Sequence, residues 1–235
     1  MIMKTNPFGQ AFLDFLEGKE TAEVLVHCNK GDDEIIPVSY FFREFEKMPL
    51  LEKKALDLCF GKILDIGAGS GIHSLELVRR GFEVCSLDIN PAFGEVMRKR
   101  GLRNVIVSDI FDFRNEKFDT LLMMMNGIGF TRNFDGLSQF LKQAKVLLKP
   151  GGQLILDSSD LLYLYEEEDG SYAINLNDDY YGEVIYKVEY NDETGDPFPW
   201  LYIDYDNLSL IAENSGFRCE KIFEDDHYNY LARLY

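Results

Sequence analysis

Cysteine and histidine are scarce in this chain, and the few that occur are not clustered. The 235 residues include four cysteines and three histidines, and no Cys-x-x-Cys pair is present. Structural zinc sites and disulfide frameworks require closely spaced ligands or paired cysteines. We therefore expect no metal site. Each cysteine stands among apolar neighbours, so we interpret all four as reduced residues of the core.

Long apolar runs are missing as well. The longest uncharged apolar run extends from Thr120 to Thr131, which is too short to cross a bilayer. The first ten residues, MIMKTNPFGQ, lack the apolar centre of a signal peptide. Together these absences lead us to expect a cytoplasmic protein with no membrane partner.

Basic side chains are nearly absent from the last third of the sequence. Residues 157–235 carry 20 acidic and 4 basic side chains, whereas residues 1–156 carry 21 and 20. The same segment contains twelve of the thirteen tyrosines and the single tryptophan, Trp200. A phosphate backbone or an anionic membrane would be repelled there, so we expect no nucleic-acid partner. Solubility is the competing explanation of this acidity.

Apolar residues are abundant and regularly spaced. They make up 46% of the chain, which favours a packed globular domain over a disordered one. From residue 62 onwards, apolar strand patterns alternate with amphipathic helix patterns, and this alternation is typical of parallel strands joined by crossover helices. The segments are KILDI, IHSLELVRR, EVCSLDI, AFGEVMRKR, NVIVSD, FDTLLMMM, a helix through residues 137–148, and QLILDSS. The pattern predicts a doubly wound α/β fold.

The segments on either side of this region have different sequence patterns. We interpret residues 1–60 as an N-terminal helical layer of the same domain, although AEVLVHC within it has a strand pattern. Residues 61–235 then form the main domain. It is interrupted at about 160–205 by an acidic, tyrosine-rich excursion, and a helix followed by a hairpin at 217–234 closes the chain.

A glycine-rich turn follows the first strand of the regular region. The strand KILDI leads directly into Gly67, Gly69 and Gly71, so the backbone can turn sharply and approach a ligand before the next helix begins. Asp88 ends the second strand, 21 residues after Gly67. At that spacing in the sequence, a carboxylate can accept hydrogen bonds from both hydroxyls of a ribose. The sequence therefore predicts a ligand that contains a nucleoside.

Two nucleoside ligands compete for this turn. A dinucleotide fingerprint requires G-x-G-x-x-G, but the sixth position counted from Gly67 is Ile72. Asp65 also lies at the turn, where a carboxylate would repel a pyrophosphate. The same carboxylate suits a ligand with an ammonium group and a sulfonium, and S-adenosylmethionine has both. An NAD-dependent oxidoreductase is therefore the less favoured interpretation.

The turn resembles motif I of class I S-adenosylmethionine-dependent methyltransferases. The family pattern is acidic-x-glycine-x-glycine-x-glycine, which is met here by Asp65, Gly67, Gly69 and Gly71, with Ala68 between the first two glycines. The segments SDIFDF, FDTLLMMMNGIGF and LLKPGGQLIL resemble later motifs of the family, in the expected order. The resemblance covers residues 60–160. It implies a Rossmann-like methyltransferase fold with a mostly parallel, seven-stranded sheet whose last strand is antiparallel.

The resemblance also implies roles for individual residues beyond the glycine turn. Asp88 would bind the ribose, and Ile89 would pack on the adenine. Asp109 would accept a hydrogen bond from the adenine amino group, and Ile110 would donate its backbone amide. Asn126 would lie near the methionine moiety. The implied cofactor is S-adenosylmethionine, with S-adenosylhomocysteine as the product.

On this basis we expect a methyltransferase that acts on a small, neutral or cationic molecule. Carboxylates and aromatic faces both attract ammonium groups, and the acidic excursion could cover the site. Candidates for the acceptor side are Tyr40, Arg43, Asn126, Asp157 and Asp160, with Tyr163 and His227 as further possibilities. For Tyr40 and Arg43 the alternative role is packing of the N-terminal layer. For Asp157 and Asp160 it is capping of the next turn.

Other interpretations stay open at this point. His73, at the start of the helix after the glycine turn, fits first-turn packing better than catalysis, and His27 fits a core position. The tyrosine-rich excursion could instead be a hairpin with cross-strand tyrosine pairs. A non-catalytic protein that retains the nucleotide site as a sensor or partner-binding module is the alternative function. The sequence leaves the accepting atom, O, N, S or C, and the oligomeric state open.

Overall fold

The computed structural model describes residues 6–114, 116–167, 169–175 and 179–235. Within them the chain forms α-helices and β-strands in an order that follows the predicted alternation. The elements are α1 (Pro7–Leu16), β1 (Glu23–Cys28), β2 (Glu34–Pro37), α2 (Leu50–Leu58), β3 (Lys62–Ile66), α3 (Ile72–Arg79), β4 (Glu83–Asp88), α4 (Pro91–Lys99), β5 (Val105–Val107), β6 (Phe118–Met123), α5 (Phe134–Leu147), β7 (Leu148–Ser159), β8 (Glu183–Tyr190), β9 (Glu193–Thr194), β10 (Phe198–Leu201), α6 (Tyr205–Asn214), β11 (Cys219–Glu224) and β12 (Asn229–Leu234). Short 3-10 helices occupy Val38–Phe42, Phe45–Lys47, Gly127–Thr131 and Leu161–Tyr165.

Seven strands form the main sheet in the order β11-β12-β7-β6-β3-β4-β5. The pairs β3–β4, β3–β6, β4–β5 and β6–β7 are parallel. The last strand, β12, is inserted antiparallel between β7 and β11. The predicted doubly wound fold, with its antiparallel last strand, is thereby confirmed.

Apolar layers cover both faces of this sheet, which explains why its central strands are almost uniformly apolar. On one face, α5 and α6 pack against the sheet through buried residues that include Phe140 and Leu208. On the other face, α2 and α3 do so through Leu56 and Leu77. Because β3, β4 and β6 are parallel, their carboxyl ends meet at one edge of the sheet, where a doubly wound sheet usually holds its ligand.

The first sixty residues contribute strands in addition to the expected helices. The segment AEVLVHC forms β1, as its pattern predicted, and β2 follows it after a turn. The segment VSYFFREF forms a 3-10 helix over Val38–Phe42. These strands join the excursion in a second sheet of order β10-β8-β1-β2, with β9 paired to β8. A third apolar cluster, which includes Phe12, Val96 and Val188, packs α1 and α4 against this second sheet.

Within the described part of the chain, every helix is too short or too polar to cross a membrane.

Candidate cofactor and acceptor site

The glycine turn connects β3 to α3 at the carboxyl edge of the main sheet. Gly67 and Gly69 have positive φ angles of 71° and 55°, which only glycine adopts at little cost. The backbone amides of Gly67 and Ala68 donate to the carbonyl of Leu87 at 2.9 and 3.0 Å, so the turn is fixed to β4. A Cβ on Gly67 would meet no atom within 4 Å. The turn therefore faces open space in which a ligand can approach the backbone.

The third glycine has a different role. Gly71 lies at the start of α3 with a φ of 81° and does not line the cleft that the other two glycines border. A Cβ there would come within 2.6 Å of the Leu102 side chain and 3.1 Å of Met97. The absence of a side chain at Gly71 lets α3 pack against its neighbours, and a cofactor contact at Gly71 stays a prediction.

Asp88 lies at the end of β4, beside the glycine turn. Its carboxylate accepts hydrogen bonds from the backbone amides of Gly69 at 3.0 Å and Asn90 at 2.8 Å. Burial raises the pKa of Asp88 to about 6, although these two donors act in the opposite direction. A carboxylate has about four acceptor positions, so two hydroxyls can still bind to it. Asp88 lines the cleft, as a ribose-binding residue should.

Asp65 ends the first strand of the site and is almost completely buried. Ser74 donates its hydroxyl to the carboxylate at 2.6 Å, and the hydroxyl of Ser86 donates to Ser74 at 2.7 Å. Burial raises the pKa of Asp65 above its usual range. A positive ligand group near this carboxylate would compensate part of that desolvation, and Asp65 borders the cleft.

The predicted adenine-side residues come together beside Asp88. Ile89 is 55% exposed although it is large and apolar, and it lies in the cleft lining with Asp109 and Ile110. The carboxylate of Asp109 accepts from the amide of Phe111 at 2.9 Å, which fixes its orientation. An exposed isoleucine beside a fixed carboxylate forms a surface on which a purine could lie.

The turn after β6 is held by two of the predicted residues, and neither lines the cleft. Asn126 has a φ of 52° and follows Met125 at 61°, so two consecutive side-chain-bearing residues adopt the left-handed conformation. The Asn126 amide nitrogen donates to the carbonyl of Leu201 at 3.2 Å, and its oxygen accepts from Ser158 at 2.8 Å. Its backbone N–H donates to the carboxylate of Asp157 at 3.1 Å. The Asn126 side chain therefore holds the turn in place, and its position near the methionine portion of the cofactor stays a prediction.

Asp157 supports this turn from the end of β7. Burial raises the pKa of Asp157 to about 7; the bond from Asn126 opposes that rise, and the negative charge of Glu52 adds to it. Met125 and Gly127, on either side of Asn126, do line the cleft. The carboxylate thus shapes the cleft wall through its neighbours, which a motif-based analysis does not reveal.

Neither Arg43 nor Tyr40 lines the cleft: Arg43 belongs to a buried ionic cluster, and Tyr40, which is exposed, packs against it. Arg43 forms an ion pair with Glu52, and its guanidinium lies 4.0 Å from the centre of the Tyr40 ring. His73 completes the cluster with Nε2 at 2.9 Å from the second oxygen of Glu52. Burial alone would raise the pKa of Glu52, but His73 and Arg43 outweigh it and hold that pKa below the usual value. Of these four residues only His73 borders the cleft.

Sequence analysis did not identify Glu52, which lies in α2. Asp160, in contrast, has the capping role that was its alternative interpretation. Its carboxylate accepts from the amide of Leu162 at 2.9 Å at the start of a 3-10 helix, and from the hydroxyl of Tyr181 at 2.8 Å. Tyr163 and His227 lie in the cleft lining, so the chain segments that carry them do reach the site.

The cleft has a volume of about 1450 Å³ and extends from the glycine turn to the inner face of the second sheet. Among the described residues that line it, Arg132 is the only lysine or arginine. The acids in the lining are Asp32, Glu34, Asp65, Asp88, Asp109 and Asp135. The excursion contributes Tyr163, Tyr186, Val188, Phe198, Trp200 and Tyr202. The tyrosine-rich segment therefore faces the site, and its lining is both aromatic and acidic.

Comparisons with known proteins agree with this geometry. Residues 64–156 match a family described as a methyltransferase domain. A crystal structure of an S-adenosylmethionine-dependent methyltransferase from Bacteroides fragilis, in complex with S-adenosylhomocysteine, is 44% identical to this chain. The two superpose with a TM-score of 0.92, over 100% of this chain and 96% of the other.

Two curated relatives match a shorter region. The demethylmenaquinone methyltransferase of Tropheryma whipplei (strain Twist) is 32% identical over 100 residues, which cover 40% of each protein. The ubiquinone biosynthesis O-methyltransferase of Xanthomonas oryzae pv. oryzae (strain PXO99A) is 28% identical over 111 residues, 44% of this chain and 45% of the relative. The matched region thus spans less than half the length of these relatives.

Proposed function

Because the chain belongs to the family of S-adenosylmethionine-dependent methyltransferases, we propose that it transfers a methyl group from S-adenosylmethionine to a small neutral or cationic molecule. The family resemblance predicted from the sequence motifs is confirmed by these matches. One observation carries the proposal. A single cleft has the glycine turn and Asp88 at one end and the aromatic inner face of the second sheet at the other.

The cofactor end of the cleft suits each part of S-adenosylmethionine. The open space at Gly67 and Gly69 admits the methionine portion close to the backbone, beside the buried Asp65. Asp88 would accept hydrogen bonds from the ribose hydroxyls, and Ile89 with Asp109 would hold the adenine; all three line the cleft. When bound, the cofactor supplies a methyl group on a positively charged sulfur: the acceptor's lone pair forms the new bond, and the C–S electron pair stays on sulfur.

The remaining residues of the cleft would position the acceptor and exclude water. Such a reaction gains mainly from orientation, because the methyl group is already activated. The inner face of the second sheet closes one side of the cleft with partly exposed rings, and the turn from Met125 to Gly127 forms another side. Acids outnumber basic residues in the described lining, which disfavours an anionic acceptor.

A matched panel of acceptors tests the charge preference. Purified protein would be incubated with S-adenosylmethionine labelled in the methyl group and with amines, alcohols and carboxylates that share one carbon skeleton. We expect label in the amines or alcohols and little in the carboxylates, and we expect S-adenosylhomocysteine to form in proportion. Preferential methylation of the carboxylates would contradict the proposal, and so would the absence of methyl transfer to every acceptor when the cofactor is bound.

A further inference from the structure

We propose that four aromatic rings on the inner face of the second sheet bind the alkylammonium group of the acceptor. The rings belong to Tyr202, Tyr186, Phe198 and Trp200, hereafter the aromatic row. The inference rests on the proposed function, because it assigns the acceptor end of the same cleft.

Strand register brings the rings of the aromatic row together. Tyr186 of β8 pairs directly with Phe198 of β10, and paired residues of antiparallel strands project to the same face. Trp200 follows Phe198 at an interval of two within β10, so alternation places it on that face as well. Tyr202, just beyond the strand, joins these rings through its contact with Tyr186. Successive ring centres lie 6.4, 6.1 and 5.9 Å apart from Tyr202 through Tyr186 and Phe198 to Trp200.

Two contacts fix the ends of the aromatic row. The hydroxyls of Tyr186 and Tyr202 lie 2.8 Å apart and hydrogen-bond to each other. At the other end, the Trp200 indole packs on Gly129, where a Cβ would come within 2.0 Å of Nε1. Gly129 belongs to the 3-10 helix that continues from the turn beside the cofactor end. The Trp200 ring is thus held against the 3-10 helix that follows the turn from Met125 to Gly127.

Charge around the aromatic row favours a cation. Glu34 pairs with Val26, which pairs with Val188, so Glu34 lies on the inner face two strands away from Val188, at roughly 10 Å, and Val188 is two residues from Tyr186 on β8. Burial raises the pKa of Tyr186 above its usual value, and the phenol therefore stays neutral. Faces of tryptophan, tyrosine and phenylalanine attract ammonium groups through the quadrupole of the ring. A carboxylate placed among these rings would lose its hydration and face Glu34.

The single tryptophan makes the site observable, because Trp200 is the only indole in the chain. The intact protein, saturated with S-adenosylhomocysteine, would be titrated with choline and with 3,3-dimethylbutan-1-ol, its neutral isostere. The anion 3,3-dimethylbutanoate would complete the set, and Trp200 fluorescence would be followed. We expect choline to bind at least about fivefold more tightly than the isostere, the cation–π contribution being the difference. We expect no saturable response to the anion.

Equal or tighter binding of the neutral isostere would overturn the inference, since the row would then be a simple apolar surface. The absence of any fluorescence response would overturn it too. Variants separate the ring from the hydroxyl: Tyr186→Leu should lose choline binding at least about fivefold, whereas Tyr186→Phe should retain it. Both should bind S-adenosylhomocysteine as the wild type does. Failure of the wild type to bind S-adenosylhomocysteine would instead refute the proposed function, whatever choline does.

Discussion

At the scale of single residues, Asp157 shows how a buried carboxylate can act through its neighbour. Its oxygens accept the backbone N–H of Asn126, and this bond holds two consecutive left-handed residues in place. Left-handed conformations cost free energy for residues with a side chain, and they persist where surrounding contacts enforce them. The ionised carboxylate makes a strong bond to the turn, but its burial has a free-energy cost that depends on pH.

The pKa of Asp157 leads to a prediction about stability. Because burial raises this pKa to about 7, the folded protein binds the proton more tightly than the unfolded chain, whose aspartates titrate near 3.9. Between about pH 4 and 7, stability therefore rises as the pH falls, by up to about 1.4 kcal/mol per pH unit. Asp157→Asn removes the titrating group. The stability of the variant relative to wild type should therefore rise as the pH increases from 5 to 7. Urea unfolding at pH 5, 6, 7 and 8 measures the difference.

Asp119→Asn is the matched control for that experiment. Lys149 donates to the Asp119 carboxylate at 2.7 Å and helps hold the Asp119 pKa below its usual value. Its contribution to stability is therefore complete above about pH 4 and is lost only below it. Between pH 5 and 8, its difference from wild type should stay constant. A constant difference for Asp157→Asn as well would show that Asp157 is ionised throughout this range.

At the scale of secondary-structure elements, the contact between the Gly127–Thr131 helix and β10 joins the two ends of the cleft. Trp200 of β10 lies directly over Gly129, which has no side chain to prevent this approach. The helix also continues from the turn that Asn126 and Asp157 hold. A change at this contact should therefore affect both the packing of the second sheet and the shape of the aromatic row.

Gly129→Ala tests this contact. The added methyl group would overlap the Trp200 indole, so the ring must move or the helix must shift. Overpacking of this kind costs about 1–3 kcal/mol. We expect a lower melting temperature and a changed Trp200 emission spectrum.

Gly127→Ala, two residues earlier, is the matched control. Its Cβ would meet Met123 at 3.6 Å, an ordinary van der Waals contact, and its φ is not positive. The packing described here would be contradicted if Gly129→Ala had the same melting temperature and emission spectrum as Gly127→Ala.

At the scale of the whole molecule, local patterns predicted the main sheet but not the second one. The strands and helices of residues 62–156 follow each other closely, and each carries its own periodicity. The second sheet pairs β1 with β8, about 160 residues apart in the chain, and no local pattern encodes that pairing. The excursion was recognised by its composition. The strands that it pairs with, and the side to which its rings point, could be read only from the structure.

The cofactor end illustrates the same difference between local and long-range information. Asp88 was proposed from its spacing to the glycine turn, and Ile89 and Asp109 from the family resemblance; all three lie at or just beyond strand ends and line the cleft. Asn126 was expected near the methionine portion of the cofactor, and its side chain hydrogen-bonds to the carbonyl of Leu201, 75 residues further on. Glu52 could not be identified, because its partners Arg43 and His73 lie on other elements.

Calorimetric titration with S-adenosylhomocysteine is the measurement that tests the central claim most directly. It would compare the wild type with Asp88→Ala and with Asp112→Ala, an exposed aspartate that does not line the cleft. NAD serves as the ligand control. We predict a Kd on the order of micromolar for wild type and Asp112→Ala, about 10 to 100 times weaker binding for Asp88→Ala, and no binding of NAD. Unchanged affinity in a folded Asp88→Ala variant, or binding of NAD in place of S-adenosylhomocysteine, would contradict the assignment of this cleft.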